Sequence, residues 1–183
     1  TKRKVTLTSE TASKAYDGTA LTKPEVTVGG DGFVDGEVEG IKAIGTITNV
    51  GGPVANPIEY TGVEGKFNAG NYKIQKQEGT LTITKAGSLG LTVEGAERKY
   101  NGEPLSAAKV EASVTEGTTI SYSTDDGSTW TAEAPSITKA GTLNVKVKAE
   151  NPNYETVEEA YKLKVTKRKV TLTSETASKA YDG

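Results

Sequence analysis

The sequence predicts an all-β chain: two tandem Ig-like antiparallel β-sandwich modules joined by very short linkers. Three observations predict it. Apolar and polar residues alternate with a period of two in the strongest segments, turn signals punctuate those segments, and the chain repeats itself on two length scales. β-branched residues are abundant, with 27 Thr in 183 residues, and suit a pleated surface. No long segment carries a helical period. Leu105–Val114 comes nearest, and Pro104 with the β-branching nearby weakens it.

The elements follow in order. Val5 and Leu7 face one way while Thr6 and Thr8 face the other. Leu81 and Ile83 alternate with Thr80, Thr82 and Thr84 in the same manner, as do Leu143, Val145 and Val147 with Asn144, Lys146 and Lys148. Tyr161, Leu163 and Val165 alternate with two lysines. Each run reads as a half-buried strand with Thr or Lys on its wet face. Asp17-Gly18, Gly29-Gly30, Asp31-Gly32, Gly51-Gly52, Asn101-Gly102 and Asp126-Gly127 read as the turns between them.

The repeats set the organisation. Residues 1–18, TKRKVTLTSETASKAYDG, recur without a change as residues 166–183, at an offset of 165. Such identity points to recent duplication or homogenisation within a long tandem array, of which this chain reads as a piece cut from a longer polypeptide. A diverged repeat lies inside the unit. Tyr16-Asp17-Gly18, Leu21 and Val26 return as Tyr100-Asn101-Gly102, Leu105 and Val110, at an offset of 84. Asn71-Tyr72 and the run from Leu81 to Lys85 return as Asn153-Tyr154 and the run from Leu163 to Lys167, at an offset of 82. The domains are therefore 1–85, 86–167, and 168–183 as the first strand of the next repeat.

The joints are short. Alternation runs almost unbroken from Tyr161 to Thr173, and only Lys85 to Ser88 join the first module to the second. Such joints leave no slack, so the array is expected to be a stiff rod. At ~3.3 Å per strand residue, one unit would advance roughly 60–80 Å. Each module has a small core and gains from neighbours packed end to end.

Composition excludes several chemistries. There is no Cys, hence no disulfide, thiolate nucleophile or Cys-based zinc site, and no His to serve as an imidazole base. The formal charge of −2 gives no reason to expect nucleic acid as a partner. No apolar run nears the ~20 residues of a membrane-spanning helix, so no membrane insertion by this segment is expected.

Each remaining motif has a structural reading. The Tyr-Asp-Gly and Tyr-Asn-Gly triplets favour tight turns with the ring capping the core. Tyr72 and Tyr154 each open a late strand, as in a tyrosine corner whose hydroxyl bonds to nearby backbone. Ser123 to Trp130, STDDGSTW, resembles the Asp-box pattern, in which Asp and Ser/Thr side chains brace a hairpin turn above the Trp. One box in a module of this size points to a turn rather than to a glycosidase. Gly29 to Glu39 gathers four carboxylates, but the spacing does not follow the EF-hand rule and reads as a solvated loop. Lys2-Arg3-Lys4 and Lys167-Arg168-Lys169 form basic clusters, expected to pair with acids such as Glu158 and Glu159 across the joint or to stay solvated.

The words KAYDGTALTKPEVTV, GTITNVG, NAGNY and GTLTITKA resemble the YDG/MBG group of mostly-β tandem repeat domains of bacterial surface proteins. The likeness covers most of residues 1–86. The second module, with YNGEPLS and NPNY, resembles a diverged relative or an Ig-like bacterial repeat. The resemblance implies an extracellular, cell-surface location and a structural role as a stalk, filament or adhesin. A Lys–Asn isopeptide bond, known in such surface sandwiches, would need Lys, Asn and an acid buried together. Lys4, Asn71 and Glu25 supply the types, and nothing in the pattern buries them. The sequence assigns no enzyme activity, no catalytic, cofactor-binding or metal residue, and no cofactor. The partners expected are neighbouring repeats, further copies through self-assembly into filaments, or a host glycan or matrix protein.

Overall fold

The structure, a computed structural model, describes residues 1–183. It is all-β, made of several small sheets and a single 3-10 turn at Ala69–Asn71. The first strands are β1 (Arg3–Ser9), β2 (Ala12–Ala15), β3 (Leu21–Thr22), β4 (Val26–Gly30), β5 (Val38–Ala43), β6 (Thr46–Ile47), β7 (Gly51–Asn56) and β8 (Ile58–Gly62). After the 3-10 turn come β9 (Tyr72–Gln77), β10 (Gly79–Thr84), β11 (Ala86–Ser88), β12 (Leu91–Glu94), β13 (Ala96–Lys99) and β14 (Lys109–Ala112). The last are β15 (Thr119–Ser123), β16 (Gly141–Glu150), β17 (Tyr154–Glu155) and β18 (Val157–Thr166).

The chain divides into two compact units. One comprises Thr1–Leu89 with Glu116–Thr118 and Glu150–Thr156; the other comprises Gly90–Thr115, Thr119–Ala149 and Val157–Gly183.

In the first unit β1 lies between β4 and β9, and β10 lies between β2 and β7. Val5 and Leu7 of β1 pack with Ile58 and Tyr72 and with the rings of Phe33, Tyr60 and Phe67. Leu81 and Ile83 of β10 pack with Leu21, Tyr16 and Val54 in a second cluster. Between β1 and β2 the chain steps from one sheet to the other at Glu10-Thr11, and between β9 and β10 at Glu78. A polar knot holds this step. Asn56 is fully buried; its Oδ1 accepts from Gly45 N at 3.0 Å, and its Nδ2 donates to Glu10 O and Lys23 O. Ser9 Oγ donates to Asn56 O at 2.6 Å and accepts from Gly79 N at 3.0 Å. Gly79 is required here, because a Cβ would sit 2.2 Å from Glu10 O.

In the second unit β13, β18, β16 and β15 form one sheet, and β12 pairs with β14. Val145, Val147, Tyr161 and Leu163 form its core with Leu91, Val93, Ile120 and Leu143. The diverged repeat is visible in the register. Ala12 pairs with Leu81, and Ala96 with Leu163; Ser9 pairs with Val26, and Val93 with Val110. Tyr16 N donates to Thr84 O and Tyr100 N to Thr166 O, both at 2.9 Å. The equivalent pairs are related by the two inner offsets of the sequence.

Two expectations need correction. Pairing is not purely antiparallel: β1 with β9, β2 with β10, β11 with β17 and β13 with β18 run parallel. Each early strand meets a late strand of like direction, which the long crossover between them permits. Gly30 and Gly51-Gly52 are strand residues, not loop residues. A Cβ at Gly30 would lie 2.5 Å from Lys4 O and one at Gly52 2.6 Å from Leu81 O, so close strand approach requires glycine at these two, which also take positive φ of +75° and +103°. Within this chain residues 167–183 form no strand, whereas residues 3–9 and 12–15, with the same sequence, do. Residues 3–9 have β4 and β9 to pair with; residues 168–174 have no such partners in this chain.

Candidate functional site

The carboxylate-rich loop and the basic cluster at residues 2–4 meet in the first unit. β4 ends at Gly30, and the chain turns through Gly32 and Gly36, whose φ angles are +66° and +75°. Asp31 Oδ2 accepts from Lys4 N at 2.8 Å, and Asp31 N donates to Lys4 O at 2.7 Å. Arg3 donates to Gly32 O at 3.1 Å and to Asp31 O. Of the cluster's side chains, that of Arg3 is thus engaged by backbone carbonyls of the loop in its own unit, while Lys4 takes part through its backbone. At the far end of the loop Tyr72 Oη donates to Glu37 Oε2 at 2.5 Å and accepts from Val34 N at 3.1 Å. The Glu37 carboxylate, first as acceptor of that bond, pushes the phenol above its usual pKa. Backbone bonding of the Tyr72 hydroxyl was expected; the carboxylate was not, since 35 residues separate it from the Tyr.

Asp31 and Glu37 are consumed by these separate contacts, and no cluster of three or more acidic residues forms that could hold a metal ion. Lys4, Asn71 and Glu25 all lie at exposed positions, so no buried triad for an isopeptide bond is assembled.

The Asp-box-like segment closes a hairpin in the second unit. Tyr122 and Thr131 exchange backbone bonds of 2.8 and 2.9 Å. Between them Asp126 and Gly127 both take positive φ, +62° and +94°, as the turn signal requires. Ser123 Oγ donates to Asp125 Oδ1 at 2.7 Å and accepts from Gly127 N at 2.8 Å. Asp125 also accepts from Thr129 N and Thr129 Oγ1 at 2.9 and 2.6 Å. Chiefly these Thr129 bonds lower its pKa to about 2. Trp130 is half-buried, with Lys148 Nζ 4.8 Å from its ring centroid. The Ser123 hydroxyl and both carboxylate oxygens of Asp125 are engaged in bracing the turn.

The Tyr-Asp-Gly motif is likewise a turn. Asp17 Oδ1 accepts from Lys14 Nζ, Thr19 N and Thr19 Oγ1 at 2.7, 2.9 and 2.7 Å, and Gly18 has φ +80°. The lysine contact foremost holds the Asp17 carboxyl well below the usual range. The Asn-Pro-Asn-Tyr segment belongs to the first unit. There Asn153 Oδ1 accepts from Val50 N at 3.0 Å, Asn153 O accepts from Ala86 N at 3.0 Å, and the Tyr154 ring meets Tyr16 edge-on at 5.6 Å. These contacts were not legible in the sequence, because they are long-range.

One surface remains that no motif announced. An open groove of about 600 Å³ is lined by Gly40, Lys42, Glu59, Tyr60, Thr61 and Lys76. Lys76 Nζ lies 5.6 Å from the Tyr60 centroid and donates to Ile58 O at 2.6 Å. The half-buried Tyr60 ring carries Lys76 over its face and packs against Phe33 and Phe67, and Lys42 also lines the groove. Comparison of the chain with family models, with curated proteins and with solved structures found no match to any of them.

Proposed function

We propose that this chain is a structural repeat of a bacterial extracellular surface protein, a semi-rigid stalk or filament of Ig-like β-sandwich modules stacked end to end. The observation that carries the reading is the recurrence of residues 1–18 without change as residues 166–183. A tandem array gives each unit the same chemistry at constant spacing, which suits reach and periodicity. The way its polar motifs are used supports the same reading: the acidic loop, the Asp-box-like turn and the Tyr-Asp-Gly turn each satisfy local backbone or neighbouring side chains. No catalytic role is assigned to any residue.

Small-angle scattering on arrays of one, two and three units tests the stalk. The maximum dimension should grow by a constant increment of roughly 60–80 Å per unit. A compact particle whose dimension grows with the cube root of mass would overturn it. The groove beside Tyr60 favours a second reading, an adhesin module that binds a host glycan. Glycan-array binding that is lost in Tyr60→Ala would establish that reading; an array without signal removes it.

A further inference from the structure

Asn101 stands in a turn of the second unit that holds the parts of a self-modifying site. Of the eight asparagines in the chain it alone precedes a glycine. Asn101 and Gly102 are both exposed, Gly102 has a φ of +91°, and nothing lies within 4 Å of where a Cβ would stand on it. The Gly102 nitrogen is therefore open to a close approach that a side chain would crowd. Asn101 Oδ1 accepts from Glu103 N at 3.0 Å, a bond that draws electron density from the side-chain carbonyl carbon. Asn68 and Asn151 accept the same kind of bond, from Gly70 N at 2.8 Å and Asn153 N at 3.0 Å, but Ala69 and Pro152 follow them. Alanine brings a Cβ, and proline has no N–H to give up. A second observation concerns the charge beside the turn. Arg98 Nη2 donates to Glu103 O, while Arg98 Nε is buried without a hydrogen-bond partner. In the first unit the equivalent positions, at the offset of 84, are Lys14 and Asp17, and they form an ion pair of 2.7 Å. Asn101 thus places a neutral amide where the related turn has a carboxylate.

We propose that Asn101 is a site of spontaneous modification, at which the side-chain amide is converted into a carboxylate beside Arg98. The Gly102 nitrogen gives its proton to hydroxide or water and bonds to Cγ of Asn101. The Cγ–Nδ2 bond then breaks, Nδ2 takes a proton from solvent and leaves as ammonia, and a cyclic succinimide remains. Negative charge develops on Oδ1 as the ring closes, where the Glu103 N–H already donates. Water then opens the ring at either carbonyl carbon. Cleavage of the new N–Cγ bond restores the backbone and leaves an aspartyl side chain. Cleavage of the bond from the Gly102 nitrogen to the backbone carbonyl carbon routes the chain through the side chain and leaves an isoaspartyl link. Either opening consumes one water and releases one proton, so the formal charge of −2 becomes more negative by one. In the aspartyl product the carboxylate gives Arg98 the charged acceptor it lacks, as Asp17 does for Lys14. The inference concerns the second unit alone and stands apart from the stalk reading.

Peptide mapping by mass spectrometry, after storage of the folded chain in mildly alkaline buffer, tests the site. Amide-to-acid conversion is expected at Asn101 and at no other asparagine, with aspartyl and isoaspartyl forms both present. It should be nearly lost in Gly102→Ala. An Asn101 that stays an amide in the folded chain overturns the proposal, even where it converts in urea, because the turn then protects it. Conversion of Asn68 or Asn151 as fast as Asn101 also overturns it, since the glycine then adds nothing. Aspartate without isoaspartate means direct hydrolysis and overturns the ring route. A second measurement reads the pairing and does not depend on the rate of conversion. Trp130 is the one tryptophan, lies in the second unit, and reports the melting of that unit by its fluorescence. Asn101→Asp should raise the melting temperature by about 1–4 °C. The same change in an Arg98→Gln chain should give no gain. No gain with Arg98 present, or an equal gain in both chains, overturns the pairing.

Discussion

At the scale of single residues, two buried polar groups behave in opposite ways. Asn56 has every useful side-chain atom engaged, with three bonds to backbone groups from three other segments. Asn56→Ala strands Gly45 N, Glu10 O and Lys23 O, and should cost roughly 2–4 kcal/mol in equilibrium denaturation. The Tyr161 hydroxyl is buried without a hydrogen-bond partner, and burial pushes the phenol above its usual pKa. Tyr161→Phe removes a desolvated group and should raise stability by about 0.5–1 kcal/mol in the same measurement. Neither role was legible from local sequence. Asn56 precedes Pro57 and looks like a loop residue, and its partners come from 11 to 46 residues away. By contrast the inward positions of Leu7, Leu81, Val145 and Leu163 were plain, because period two assigns faces without knowledge of partners.

At the scale of elements, hairpins that close on themselves behave differently from strands that need distant neighbours. The turn from Ser123 to Thr131 is held by Asp125, whose carboxyl is lowered to about 2. The unfolded chain therefore binds a proton at higher pH than the folded one. The contribution of Asp125 is full above the ordinary value near 4 and is lost as pH falls through about 2. A carboxyl-resolved NMR titration should place the Asp125 midpoint at about 2, below the ordinary carboxylate range of about 4. In Asp125→Asn the hairpin amides should lose their acid-dependent protection between pH 4 and 2 (about the ordinary and lowered values). Strand β1 is the other case. Leu7→Ala should cost about 2–5 kcal/mol, whereas Leu172→Ala, the same change in the same sequence, should stay within about 0.5 kcal/mol by thermal melts of the monomer. Glycine pairs were the least legible elements. Asp126-Gly127 made the turn its dipeptide signals, yet Gly29-Gly30 ends β4 and Gly51-Gly52 opens β7, because the missing Cβ of Gly30 and Gly52 serves close approach as well as positive φ.

At the scale of the whole molecule, units do not follow sequence order. Glu150–Thr156 lies in the second repeat of the sequence but belongs to the first compact unit. Asn153→Ala should therefore speed amide exchange at Val50, whose N–H it accepts, and leave the exchange of Val145 and Val147 unchanged. The alternation, the two repeat lengths and the Asp-Gly turns follow from sequence alone. They rest on side-chain size, polarity and φ preference within a few residues, and the Lys–Asp contact and positive glycine φ of the Tyr-Asp-Gly motif recur at Lys179, Asp182 and Gly183. Whether a competent strand becomes a strand was decided only by tertiary structure. Residues 3–9 are sheet and residues 168–174 are not, although they are the same residues. The physical reason is that ladder hydrogen bonds and burial of Val and Leu are non-local: they exist only where two other strands stand ready to receive them.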